Sequence, residues 1–203
     1  MANLKEIRSR ISSVGSTMQI TSAMKMVSAA KLKRAQDAIT QMRPYANKLT
    51  ELLENLSASL DASEGGAYSK ERNLKNVLLV TITSNRGLCG GFNSYIIKSA
   101  KDLMNDKFEN INVEVLSIGK KSSDYFTKNG FNVFSTHDTL FNDLTFENVS
   151  NIAEDIMRQF IDGKYDQVVL VYNQFKNAAT QIIMNENYLP IQNNPNEGEQ
   201  TED

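Results

Sequence analysis

The chain has 203 residues, with 22 Lys and Arg against 24 Asp and Glu for a net charge of −2, which is room for one ordinary domain and an extension. Cys89 is the single cysteine and His137 the single histidine, so an internal disulfide, a thiolate metal cluster and most zinc or histidine-based catalytic schemes are excluded. No apolar run reaches the roughly 18 residues that span a bilayer, and the opening MANLKEIRSR lacks the apolar core of a signal peptide, so a soluble cytoplasmic protein is expected.

Residues 1–60 read as one long amphipathic helix. Leu4, Ile7, Ile11, Val14 and Met18 alternate steps of three and four, and the same phase returns at Leu32, Ala35, Ile39, Met42, Ala46, Leu49, Leu53, Leu56 and Leu60. This is the a/d seam of a coiled coil. A continuous helix of that size runs on the order of 85 Å, and its seam needs another helix to cover it. Pro44 lies inside the pattern, where it removes a donor and crowds the carbonyl of Thr40, so a kink without termination is expected.

Between Met18 and Leu32 the in-phase positions Thr21, Lys25 and Ser28 are polar, while Ile20, Met24 and Val27 move one place ahead and Ala23, Met26, Ala29 and Ala30 widen the face. Two readings stand side by side: a packing discontinuity of the coiled coil, or a surface that adaptable methionines offer to a second partner. Charge bears on the choice. Residues 1–60 carry nine Lys/Arg against four acids, a net of +5 that leaves −7 for the remainder, and no acid falls between Arg8 and Gln36. Such a stretch is either a solvated face or a match for an acidic surface, nucleic acid among the options.

Residues 61–75 (DASEGGAYSKERNLK) form a polar linker with Gly65 and Gly66. Over 76–192 the pattern predicts an α/β body. Strands are expected at Asn76–Thr83, Val113–Ile118, Phe131–Phe134, Gln167–Tyr172 and Gln181–Met184, the last as an antiparallel edge because no crossover helix fits before it. Helices are expected at Asn93–Asp106, at Lys120–Lys128, and from the N-cap Thr145 to Gly163 with Val149, Ile152, Ile156 and Phe160 on one face. The alternation implies a Rossmann-like three-layer body with a mostly parallel sheet. The tail 193–203 is polar and acidic, and reads as disordered.

The turn SNRGLCGGFN, between the first strand and the first body helix, lies where α/β proteins often hold phosphates. Its spacing, Gly87, Gly90, Gly91, is not GxGxxG, and Gly119-Lys120-Lys121-Ser122 lacks the P-loop order. Tight turning and close helix–sheet approach are the expected roles of these glycines. Cys89 reads as a small buried packing residue and His137 as a surface residue, and Asp138 and Asp143 form no paired acid–base arrangement. No catalytic, cofactor-binding or metal-ligating residue is expected.

Five segments in order carry a resemblance: LKEIRSRISSV, ITSAMKMVSAAKLKRAQ, RPYA, SNRGLCGGFN and VYNQFKN. Together they resemble the gamma subunit of F-type rotary ATP synthase, over residues 2 to about 191. The resemblance implies a central-stalk rotor subunit that is not an enzyme by itself and couples proton flow to ATP synthesis or hydrolysis. Its partners would be the alpha and beta subunits, the epsilon subunit and the c-ring, without nucleic acid, and its place the cytoplasmic face of the bacterial plasma (inner) membrane, peripheral through the complex. It also implies stator contact at Met24, Lys25, Lys31, Lys33 and Arg34, with Lys25 standing where many members have Glu. The turn of Arg86, Gly87, Leu88, Cys89, Gly90, Gly91 and Asn93 would be an architectural signature. The family's second long helix is not present before Asp203, and the paired cysteines of thiol-regulated members are missing. Two other readings are a basic helical module for nucleic acid or anionic membrane, and a small α/β enzyme with a helical dimerisation arm.

Overall fold

The computed structural model describes residues 3–59, 66–177 and 179–191, with only the backbone described for 54–59. The chain divides into two compact units, 1–59 and 60–203. In the first, α1 (Leu4–Ser59) is a single helix of 56 residues that continues through Pro44. Asn3 caps it, its Oδ1 accepting from the Lys5 amide at 3.2 Å. Thr17, Thr21, Thr40 and Thr50 return their hydroxyls to the carbonyl four residues back, at 2.8 to 3.1 Å. Leu4, Ile7, Ile11, Val14, Met18, Leu32, Met42, Leu49 and Leu53 are all exposed and Ile39 is half-buried, so most of the described seam positions stand open. Leu60, the linker residues 61–65 and the tail 193–203 lie outside the described residues.

The second unit is a five-stranded sheet in the order β3-β2-β1-β4-β5, with β1 (Asn76–Ile82), β2 (Asn112–Ile118), β3 (Val133–Thr136), β4 (Gln167–Phe175) and β5 (Gln181–Leu189). The first four are parallel and β5 is antiparallel to β4. Because side chains alternate along a strand, β1 sends Val77 and Leu79 to one face and Leu78 and Val80 to the other, all of them buried. On the first face they meet Ile96 and Ala100 of α2 (Phe92–Asp102) and Phe126 of α3 (Lys120–Lys128). On the second they meet Ile156 and Phe160 of α4 (Phe146–Ile161). The three layers match the fold read from the alternation of strands and helices.

Boundaries moved for identifiable reasons. The third strand begins at Val133, two residues late, because Phe131 serves the end of α3. Its amide donates to the Phe126 carbonyl at 3.1 Å, Gly130 donates to Thr127 at 3.3 Å, and the Phe126 and Phe131 rings meet edge to face at 5.2 Å, a Schellman closure with its hydrophobic contact. The second helix is α-helical only to Asp102 and continues as a π turn over Leu103–Lys107, which delivers Phe108 into the core. The β4–β5 hairpin runs longer than periodicity suggested, because polar residues of β5 are held by side-chain bonds: Tyr172 Oη to Glu186 at 2.7 Å and Gln167 Nε2 to Asn187 at 2.6 Å.

Residues 66–75 are tied to the body although their composition is that of a linker. Tyr68 and Leu74 pack on the two cores. Arg72 Nη1 donates to the carbonyls of Phe160 (2.6 Å) and Tyr165 (3.1 Å), closing the end of α4, and its guanidinium sits 4.6 Å over the Phe160 ring. Near the amino end of β2, Glu114 accepts from Tyr165 Oη at 2.5 Å and pairs with Lys164 at 3.2 Å. Burial opposes ionisation of Glu114, yet the bonds from Tyr165, Lys164 and Asn132 and the charge of Lys164 outweigh it and hold its carboxyl below the usual range.

Candidate functional surfaces

Two places merit comparison: the interrupted stretch of α1, and the carboxyl ends of the parallel strands, where α/β folds bind ligands. On α1, Met24 is 56% exposed, and Ile20, Met26 and Val27 are exposed beside it. Lys25, Lys31, Lys33 and Arg34 are likewise exposed. The ion pairs on α1 lie outside this stretch, Arg10–Glu6 at 2.9 Å and Lys48–Glu51 at 2.6 Å. Among the described residues, none of Lys25, Lys31, Lys33 or Arg34 forms an ion pair. Met24, Lys25, Lys31, Lys33 and Arg34 thus lie on one stretch of α1, where exposed apolar and cationic side chains stand together.

The signature turn after β1 is filled by its own side chains. Asn93, at the start of α2, accepts from the Ser84 amide at 2.9 Å through Oδ1 and donates through Nδ2 to Ser84 Oγ (2.9 Å), the Arg86 carbonyl (3.2 Å) and Cys89 Sγ (3.1 Å). The start of α3 is equally occupied. The amides of Lys120, Lys121 and Ser122 donate to Asn85 Oδ1 (2.8 Å), the Ser84 carbonyl (3.3 Å) and Thr83 Oγ1 (3.0 Å). Amides that would cradle a phosphate in a nucleotide-binding fold are here spent on the β1–α2 turn. Gly91 and Gly119 set the spacing: a Cβ on Gly91 would fall 2.4 Å from the Tyr95 ring, and one on Gly119, at φ +100°, 2.0 Å from the Thr83 carbonyl oxygen.

Cys89 is exposed, contrary to the buried packing role expected of it. The turn lifts it outward with Leu88, which is fully exposed at φ +61°, while Asn93 takes the inner position. His137 is half-buried, not a surface residue. Its amide donates to the Ser117 carbonyl at 2.8 Å and its Nε2 lies 3.2 Å from Ser135 Oγ, which carries β3 pairing one residue beyond the strand. Burial pushes the His137 pKa down, against the opposing charges of Asp155 and Asp138. Asn85 Nδ2 fixes the Asp138 carbonyl at 2.6 Å, and among the described residues Asp138 Oδ1 is the buried side-chain atom without a hydrogen-bond partner. Sequence periodicity carried no signal for these contacts, which come from loops meeting across the sheet.

No group of three or more His, Cys, Asp or Glu that could hold a metal occurs among the described residues, and no helix there is long and apolar enough to cross a membrane. Comparison with known proteins gives a family model described as ATP synthase that matches residues 3–203. The chain is 61% identical over 191 residues to the ATP synthase gamma chain of Flavobacterium johnsoniae, covering 94% of this chain and 66% of the relative. It is 56% identical over 192 residues to that of Christiangramia forsetii, covering 95% and 67%. The chain therefore spans about two thirds of the length of these curated relatives. Among solved structures it resembles a chain of the Tetrahymena thermophila mitochondrial ATP synthase central stalk and c-ring, with a TM-score of 0.68 and 31% identity over 84% of this chain and 72% of that one.

Proposed function

The chain belongs to the ATP synthase gamma-chain family, and from that membership we propose that it works as a non-catalytic rotor subunit of the central stalk. In this role it couples proton flow to ATP synthesis or hydrolysis at the beta subunits. The observation that carries the reading is the 56-residue helix with an exposed apolar seam, joined in one chain to a body whose strand-end amides are already occupied. The first needs external partners. In the second, the amides of Lys120, Lys121 and Ser122 are engaged within the body and do not face a phosphate.

The mechanism is mechanical. As α1 turns inside a ring of alpha and beta subunits, Met24, Lys25, Lys31, Lys33 and Arg34 meet each beta subunit in succession, and contact that differs between a site's conformations shifts its equilibrium by that difference. Adaptable methionine supports changing contacts, and four unpaired cations suit an acidic partner. The body, fixed by its signature turn, meets the epsilon subunit and the c-ring, which places the chain peripherally at the cytoplasmic face of the bacterial inner membrane. A free-standing module for nucleic acid or membrane leaves the match over residues 3–203 unexplained.

The test is reconstitution with an alpha–beta ring. The purified chain alone is expected to hydrolyse no ATP. The reversal Lys31→Glu/Lys33→Glu/Arg34→Glu is expected to weaken its binding to the ring by about tenfold or more while leaving thermal unfolding of the body unchanged. Mutation-sensitive ATPase activity from the isolated chain, or ring binding indifferent to the reversal, overturns the proposal.

A further inference from the structure

The outer side of α4 begins and ends in apolar residues that the fold leaves in water. At 3.6 residues per turn, Phe146 and Ile161 share one narrow strip with the half-buried Ser150, Ala153 and Met157, next to the core-facing row of Ile156 and Phe160, and Met157 also packs against that core. Phe146 is 89% exposed and Ile161 43%. The small Ser150 and Ala153 sit between them, which allows another helix to approach closely. One apolar face suffices for a helix that covers a sheet, and an almost fully solvated phenylalanine contributes little to folding. The border of the strip is acidic: Asp143 precedes the helix, and Glu147 and Glu154 lie on the side away from the core. Arg158, the only base on α4, is engaged by Asp155 at 2.6 Å.

The complement of an acid-bordered apolar strip is a helix with an apolar seam and basic flanks. The first half of α1 has that composition, with Ile11, Val14 and Met18 exposed and no acid between Arg8 and Gln36. Two such halves facing each other would set like charges together along the seam, whereas α4 offers the opposite charge. We propose that, when no other partner is present, the basic half of α1 from one molecule docks on the α4 strip of a second copy. The contact shields the seam of the unassembled chain, and it does not depend on the rotor reading.

Sedimentation velocity of the whole 203-residue chain tests this. Over about a hundredfold range of concentration, association is expected to grow with concentration at low ionic strength and to weaken several-fold in high salt. Phe146→Glu is expected to weaken it by about tenfold or more, and Glu147→Lys/Glu154→Lys in the same direction. Ile182→Glu, at an exposed apolar position on β5, is expected to leave it unchanged. The Phe146 ring stands in solvent, so circular dichroism and melting of Phe146→Glu should match the parent and separate lost docking from lost folding. A chain that is monomeric throughout overturns the proposal. So does association that survives Phe146→Glu, which assigns the contact to paired α1 seams.

Discussion

The apolar residues of β1 are withdrawn completely from water and those of α1 lie in it, although both sets follow from equally plain sequence patterns. Val77, Leu78 and Leu79 have no exposed surface, while Ile11, Val14 and Met18 are each about two-thirds exposed. The difference teaches that periodicity specifies a face, and the rest of the chain decides whether that face is covered. In the body it is covered from within, by α2 and α3 on one side and α4 on the other. On α1, cover must come from another molecule or another segment. The most direct way to break this contrast is a pair of truncations. Leu79→Ala is expected to destabilise the body by about 2–5 kcal/mol, and Ile11→Ala, at concentrations and salt where the chain is monomeric, to change stability by no more than about 0.5 kcal/mol, both read by urea denaturation. A comparable loss at Ile11 would show that its side chain is already covered in solution.

Glycines sharpen the same contrast. Gly119 has a left-handed backbone against the Thr83 carbonyl, while Gly15 in α1 has nothing within 4 Å of where a Cβ would stand. Gly119→Ala is therefore expected to cost about 1–3 kcal/mol from the backbone conformation, with the clash added. Gly15→Ala should stabilise α1 by about 0.5–1 kcal/mol, because alanine loses less freedom in a helix. Melting curves followed separately for body and helix would show opposite signs at the two positions.

What could be read in advance divides along similar lines. The seam of α1, the apolar run of β1 and the Thr145 cap of α4 are local signals, and each marks an element the structure contains; Thr145 Oγ1 accepts from the Asn148 amide at 3.3 Å. The role of Phe131 was hidden because a strand start and a Schellman closure both call for an apolar residue after glycine. Cys89 and His137 were misplaced because their burial depends on Asn93 occupying the inside of one turn and on the Ser117 carbonyl crossing from β2. Neither contact leaves a periodic trace. On α1, Met24 and its neighbouring cations stand out through the family resemblance and not through periodicity; their exposure names no partner, and contact with a beta subunit there belongs to the proposed function.

The smallest effect concerns acid, and it also separates body from helix. The His137 pKa is depressed by burial despite Asp155 and Asp138, so the folded body takes up this proton less readily than the unfolded chain. Stability from this source is fully present above the ordinary histidine value of 6.5 and is lost as the pH falls from there through the folded pKa. Glu114 acts with the same sign at lower pH: its depressed carboxyl pKa contributes stability above 4.5 that is lost on further acidification, as Tyr165 and Lys164 lose the charged partner they hold. The body is thus expected to weaken in two successive acid steps, visible as a falling urea midpoint. His137→Gln should remove the first step and leave the second. The paired cations of α1, Arg10 and Lys48, face exposed carboxylates, pairs that are worth little, so helicity of α1 should hold across the first step. A body that gains stability on crossing 6.5 downward would mean that Asp155 and Asp138 dominate the histidine and that burial at the β3 end is weaker than its geometry indicates.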